Sequence, residues 1–227
     1  MDISLYYIKK GLGPPLLLLH GNGESGDYFA HQLDEFARYF TVYAVDTRGH
    51  GQSPRGTAPF TISQFADDLL GFLDEHGIDK ADILGFSDGG NIALTFALRH
   101  PERVGKLVLN GANLDPSGVK AAVQIPIVLG YRLASLFKAP KARANTELLG
   151  LMVNEPHIDP KELGALTMPA LVIVGSKDMI KAAHSRLMAD HLPSGRLVTI
   201  EGDHFIANKR PEPFNRAVIA FLKEETP

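Results

Sequence analysis

Asp82-Ile83-Leu84-Gly85-Phe86-Ser87-Asp88-Gly89-Gly90-Asn91 decides the reading of this chain. A short apolar run leads into a turn bounded by glycines, and a segment of helical period follows. Glycines two before and two after Ser87 let neighbouring backbone approach closely, so the chain can reverse sharply and push a hydroxyl into solvent. The helix start beneath it favours negative charge on a reacting oxygen. The plainer alternative is a serine that only caps the helix. The strand before and the helix after favour a nucleophile.

Outward from this turn, apolar runs of strand length alternate with helical segments. Leu16-Leu17-Leu18-Leu19, Thr41-Val42-Tyr43-Ala44-Val45, Asp82-Ile83-Leu84, Lys106-Leu107-Val108-Leu109, Ala170-Leu171-Val172-Ile173-Val174 and Arg196-Leu197-Val198-Thr199-Ile200 read as strands buried on both faces. Leu5-Tyr6-Tyr7-Ile8 reads as an early strand, antiparallel at an edge. Thr61-Ile62-Ser63-Gln64 has the form of a capping box, with Gly77 ending that helix. Asn91 to His100 reads as a helix stopped by Pro101, and Pro211 to Lys223 as a closing helix. The predicted fold class is α/β: a mainly parallel sheet with helices on both faces. The alternation fails between Asp115 and Thr167, where no strand is visible and prolines punctuate helical sequence. The expected organisation is a core of residues 1–114 and 168–227, with 115–167 inserted as a small helical cap.

A serine hydroxyl needs a base, commonly a histidine oriented by a carboxylate. Nine histidines compete. His76, His100, His184 and His191 fall on or at the ends of predicted helices, and His20 and His50 in early glycine-bearing turns. His204 follows the last strand on a loop and comes after both the serine and a suitable acid. That acid is Asp178, just past the strand Ala170 to Val174, where parallel sheets place their chemistry. Asp115 is the second candidate; Asp203, adjacent to His204, should point elsewhere. The expected oxyanion donors are the backbone N–H of Asp88 and, from His20-Gly21-Asn22-Gly23, that of Asn22.

Gly21-Asn22-Gly23-Glu24-Ser25-Gly26 also satisfies the G-x-G-x-x-G pattern, with Asp46 ending the next strand where a ribose-binding acid could lie. A nicotinamide-dependent oxidoreductase is therefore an alternative. Glu24 counts against it, because a carboxylate in a phosphate loop is repelled, and so does the idle set of Ser87, Asp178 and His204. Asp46 to Ser53 then reads as a structured turn at the rim of the site.

The 227 residues are 44% apolar and 22% charged, an ordinary globular balance. A net charge of −3 provides no field favouring nucleic acid or an anionic membrane. The absence of cysteine excludes disulfides, thiolate metal sites and a cysteine nucleophile. No signal peptide is legible and the greasy stretch Ala121 to Tyr131 is too short to span a bilayer, so a cytoplasmic location is the expectation. The expected partner is a small-molecule substrate, with no nucleic acid, membrane, metal or cofactor.

These pieces together resemble the α/β-hydrolase superfamily. The likeness rests on His20-Gly21-Asn22-Gly23, Asp46-Thr47-Arg48-Gly49-His50-Gly51-Gln52-Ser53, Gly85-Phe86-Ser87-Asp88-Gly89-Gly90, Gly175-Ser176-Lys177-Asp178 and Gly202-Asp203-His204. It covers nearly the whole chain, in the order Ser, Asp, His. The Ser-Asp-Gly-Gly run is also similar to that of amino-acid-ester hydrolases related to valacyclovir hydrolase. Two departures are a trimmed amino-terminal strand set and a short cap. Dehalogenase and epoxide hydrolase branches carry aspartate at the nucleophile position, held here by Ser87, so the resemblance implies cleavage of a small ester or related acyl bond through an acyl-enzyme. A receptor-like member of the same fold is a further alternative. Asp88 is a candidate for attracting a substrate amine. Cap residues Ile125 to Leu129, Leu133, Leu136 and Phe137 are candidates to line the site, and Lys138, Lys141 and Arg143 read as a solvated basic cluster. Activity should rise with pH through one ionisation near neutrality, as the base becomes neutral.

Overall fold

A computed structural model describes residues 2–224. Seven strands form one sheet: β1 (Tyr7–Lys10), β2 (Pro15–Leu19), β3 (Thr41–Val45), β4 (Ala81–Phe86), β5 (Val104–Asn110), β6 (Ala170–Gly175) and β7 (Gly195–Ile200). Their spatial order is β1-β3-β2-β4-β5-β6-β7. Only β1 runs antiparallel, pairing with β3 from Tyr7↔Val45 to Lys10↔Val42. It is the predicted edge strand, displaced two residues along the chain, because the bonded partners of β3 begin at Tyr7.

Period-two alternation divides the buried strands between two layers. Leu17, Leu19, Ile83, Leu107, Leu109 and Val172 pack on one face, against Phe65, Leu69, Ile92 and Phe96. These come from α2 (Ile62–Glu75) and α3 (Asp88–Arg99). Leu16, Leu18, Leu84, Phe86, Val108 and Ile173 pack on the other, against Phe36, Phe214, Val218 and Phe221. The helices there are α1 (Ala30–Phe36) and α8 (Pro211–Lys223). Covering both faces explains why the strands are near-continuous apolar runs.

Local signals set the helix ends. Thr61 accepts from Gln64 N–H, while the Gln64 side chain donates to Asp68 instead of returning to the cap, so half of the capping box forms. Gly77 N–H donates to Asp74 O and Ile78 N–H to Leu73 O, closing the far end of α2. The third helix starts at Asp88, three residues before its predicted start, because the Ser87 carbonyl already accepts from Gly90 and Asn91 N–H.

Between Asp115 and Thr167 the chain forms helical segments joined by short irregular stretches, and no strand of the sheet. Helices α4 (Ala121–Ser135) and α5 (Pro140–Asn154) form an antiparallel hairpin. The Gln124 side chain donates to Met152 O, and Tyr131 lies beside Gly150. The status of this segment as a cap is a proposal; it rests on the bond from Asn22 Nδ2 to Leu148 O, 2.7 Å, which brings α5 over the loop after β2. The remaining helices are α6 (Ala182–His191) and the short α7 (Ile206–Lys209).

Strand order reverses at β2. The chain moves from β2 to β3 on one side, then crosses to β4 on the other. The crevice at the carboxyl ends of β2 and β4 is where such sheets bind ligands. At that point a Cβ on Gly89 would strike the carbonyl oxygens of Leu19 and His20, which belong to or follow β2 and cannot rotate away. A Cβ on Gly164 would meet open space. Gly89→Ala should therefore lower the urea unfolding midpoint by the equivalent of about 3 kcal/mol, whereas Gly164→Ala should stay within about 0.5 kcal/mol of the parent.

Candidate active site

Ser87 sits between β4 and α3 with φ 53° and ψ −120°, and it has the only positive φ outside glycine among the described residues. Such a conformation costs about 1–3 kcal/mol and persists only where its surroundings hold it. Ser87 N–H donates to Asn110 O at 2.8 Å, and its carbonyl accepts from Gly90 at 2.8 Å and Asn91 at 3.1 Å. The side chain does not cap α3, so the helix-capping alternative fails. Its Oγ lies 3.1 Å from His204 Nε2.

His204 is buried on the turn after β7, and its Nδ1 lies 2.7 Å from Asp178 Oδ1. Asp178 also accepts from Ile180 N–H at 3.0 Å and Gly175 N–H at 3.3 Å, so the acid both ends its turn and holds the imidazole. Burial pushes the Asp178 carboxyl up, but the His204 hydrogen bond and charge, with the two backbone donors, outweigh it and leave its pKa below the ordinary value. An ionised Asp178 selects the tautomer with the proton on Nδ1, which leaves Nε2 free to accept from Ser87.

The competing groups are occupied elsewhere. Asp115 accepts from Ser117 N–H and caps a short turn. Asp203 pairs with Lys209 and accepts from Phe205 N–H, pointing away as expected. His20 donates from Nδ1 to Gly21 O at 2.7 Å and accepts the Thr47 N–H at Nε2, 3.0 Å. Burial drives its pKa down to about 4, so it is a neutral structural histidine.

The glycine-patterned loop is likewise filled from within. Gly21 N–H donates to Glu24 Oε2 at 3.1 Å and Gly26 N–H to Asp46 Oδ1 at 2.6 Å, so two donors a pyrophosphate would need already have acceptors. Asp46 Oδ2 accepts from Gln52 N–H at 2.7 Å, leaving this carboxylate committed to the backbone and not to a ribose. By contrast, the Asn22 and Asp88 N–H groups have no protein acceptor among the described residues, as oxyanion donors require.

Gly111 and the setting of Glu24 escaped the sequence reading, and Asp88, which it singled out, is more deeply buried than a surface carboxylate. Gly111, at φ 63°, lies against the His204 ring; a Cβ there would come within 2.6 Å of Cε1. The Asp88 carboxyl is buried, with Oδ1 near Asn91 Nδ2 at 3.3 Å and Oδ2 unpartnered, and burial raises its pKa to about 6. Glu24, read only as an obstacle to phosphate, lies close enough for its carboxyl and His204 to influence each other's charge, and burial raises its pKa to about 7.

Glu24 changes the expected pH dependence. Its carboxyl loses its proton as pH rises through about 7. The resulting anion favours positive charge on His204. The expected profile of kcat/KM therefore carries a contribution from Glu24 centred at about pH 7, which the sequence did not suggest. Glu24→Gln should remove that contribution and lower the high-pH plateau; a profile superimposable on the parent's would exclude this role.

A family described as alpha/beta hydrolase fold matches residues 14–150. A curated relative from Caulobacter sp. strain K31, named "Putative carbamate hydrolase RutD", is 30% identical over 92% of this chain and 91% of its own length. The 3-oxoadipate enol-lactonase 2 of Acinetobacter baylyi is 24% identical over 98% of this chain and 96% of its own. Among solved structures, the enol-lactonase from Burkholderia xenovorans LB400 superposes with a TM-score of 0.83 at 25% identity, covering 98% of this chain and 97% of that one. With the reversed strand order, the strained serine turn and the histidine after the last strand in place, these matches make the chain a member of the alpha/beta hydrolase fold family.

Proposed function

We propose that this protein is a serine hydrolase that cleaves a small ester, lactone or related acyl bond through a covalent acyl-enzyme. The observation that carries the reading is the relay Ser87 Oγ, His204, Asp178, with spacings of 3.1 and 2.7 Å. The names of relatives, a carbamate hydrolase and enol-lactonases, all involve attack at a carbonyl carbon.

Ser87 Oγ bonds to the carbonyl carbon as its proton passes to His204 Nε2. The carbonyl π electrons move onto oxygen, and the Asn22 and Asp88 N–H groups donate to the resulting oxyanion. The intermediate collapses, the bond to the leaving oxygen breaks, and His204 returns the proton to that oxygen. Water then repeats the sequence: His204 takes its proton, the hydroxide oxygen bonds to the acyl carbon, and Ser87 leaves with the proton restored. Asp178 stays ionised throughout and stabilises the imidazolium. No step needs a metal or a redox cofactor.

Fluorophosphonate labelling with peptide mapping tests the reading. The label should attach to Ser87 and disappear in Ser87→Ala. Asp178→Asn should lower kcat on the order of 10⁴-fold, because it favours the wrong tautomer. Labelling at another residue, or none at all, would remove Ser87 as the nucleophile; binding of ester without turnover would replace the hydrolase by the receptor-like alternative.

The unpartnered Asp88 Oδ2 favours one refinement of substrate. A cationic amine beside the scissile carbonyl would pair with it above the pKa of about 6, when the carboxyl is ionised. A preference for an α-amino ester over p-nitrophenyl acetate should rise between pH 5 and 7 and vanish in Asp88→Asn. The absence of any such preference would remove this role and leave the triad reading intact.

A further inference from the structure

We propose that the outer face of α4, with the cations around its carboxyl end, docks on an anionic lipid bilayer. Helix α4 is apolar on nearly every side: Gln124, Arg132 and Ser135 are its polar side chains, yet none of its residues is buried. A helix of that composition is ordinarily enclosed in a core or set in a membrane. Val123, Ile127, Val128, Tyr131 and Ala134 are half-buried, whereas Ile125, Leu129 and Leu133 are 59–60% exposed. Leu136 at 76% and Phe137 at 57% extend this row past the helix end. The spacing 125, 129, 133, 136 is one helical stripe. These side chains were candidates to line the active site; Ile125, Leu129, Leu133, Leu136 and Phe137 are exposed, and only Ile127 and Val128 of the set are half-buried.

Charge identifies what covers the stripe. Residues 116–146 contain Lys120, Arg132, Lys138, Lys141 and Arg143 and no Asp or Glu, in a chain whose net charge is −3. Lys120 is engaged, donating to Asp178 O. Arg132, Lys138, Lys141 and Arg143 are exposed and make no ion pair among the described residues. Arg132 lies within the stripe, Lys138 directly follows Phe137, and Lys141 and Arg143 begin α5. Apolar side chains between lysine and arginine are the pattern of a helix lying in a headgroup region, where acyl chains take up the stripe and anionic headgroups the cations. A second copy fits less well, because two such faces would bring together cations with no acidic partner. Whole-chain charge hid this, since it sums a locally basic segment into an acidic total. No helix among the described residues is long and apolar enough to cross a membrane, so the geometry points to surface docking.

The test is co-sedimentation of the full chain with phosphatidylglycerol vesicles and, separately, phosphatidylcholine vesicles. Binding should be more than about tenfold stronger to the anionic vesicles. It should also fall steeply as salt rises from about 0.1 M to about 1 M, where the screening length drops from roughly 10 Å to 3 Å. The double variants Leu129→Glu/Leu133→Glu and Lys138→Glu/Arg143→Glu should each lose that binding while hydrolysing a short soluble ester at the parent rate. Sedimentation velocity without lipid accompanies it. Equal partition to both vesicles, no partition, or binding unchanged in the variants would overturn the proposal. So would a dimer that the Leu129→Glu/Leu133→Glu variant abolishes, which would assign the face to a second copy.

Discussion

The close contact between the start of α3 and the end of β2 is the constraint on which the rest depends. Gly89 lies against the Leu19 and His20 carbonyls, and this proximity makes room for Ser87 to take its strained backbone. The strain is local, and the bonds that offset it come from the neighbouring strand and from the helix itself: Asn110 O takes the Ser87 N–H, and the Ser87 carbonyl takes two amides of α3. Hydrophobic burial on both faces of the sheet supplies the wider stability that tolerates it. The serine is therefore fixed by backbone alone, which leaves its hydroxyl uncommitted until His204 meets it.

A second set of buried polar contacts holds the loops around that point. Arg48, fully buried, donates to both oxygens of Asp68 at 2.6 and 2.7 Å and to Asp2. Two desolvated charges with this bidentate geometry rigidify the turn after β3, and removal of one partner typically costs about 3–5 kcal/mol. From the same turn, Asp46 ties Gly26 and Gln52, and Thr47 N–H fixes the His20 ring. His20 and Glu24 bracket Asn22. The presentation of one candidate oxyanion donor thus depends on a polar cluster whose remote end is an ion pair on α2.

Much of this was legible because it follows from local chemistry. Strand runs buried on both faces announce a parallel sheet, and the glycine pattern around Ser87 announces the sharp turn. Chain order selected Asp178 and His204 from many carboxylates and nine histidines. What stayed hidden depends on tertiary proximity. Glu24 is an ordinary loop glutamate until the fold half-buries it within electrostatic reach of His204. Gly111 reads as any glycine after a strand until the imidazole is seen against it. Apolar residues on α4 gave no sign of which side faced the core, since a helix apolar all round has no distinguishing stripe. The G-x-G-x-x-G match misled for a related reason: a pattern records where glycines lie, whereas the fate of the amide donors depends on Glu24 and Asp46.

The α4–α5 hairpin joins these themes, because it is tied to the site and not merely laid over it. Lys120, at the entrance to α4, donates to Asp178 O, the carbonyl of the residue that orients His204. Leu148 O, on α5, accepts from Asn22 Nδ2, the side chain of a candidate oxyanion donor. Glu147 pairs with Arg55 at 2.6 Å, linking the same helix to the turn after β3. The contacts therefore reach the acid and the oxyanion loop from the two helices of one hairpin. Displacement of the hairpin would act on the chemistry through the orientation of Asp178 and Asn22, without touching Ser87. That arrangement would couple whatever occupies the outer face of α4 to the positions of Asp178 and Asn22. It also explains why a segment with almost no buried residues is nonetheless anchored by specific polar contacts.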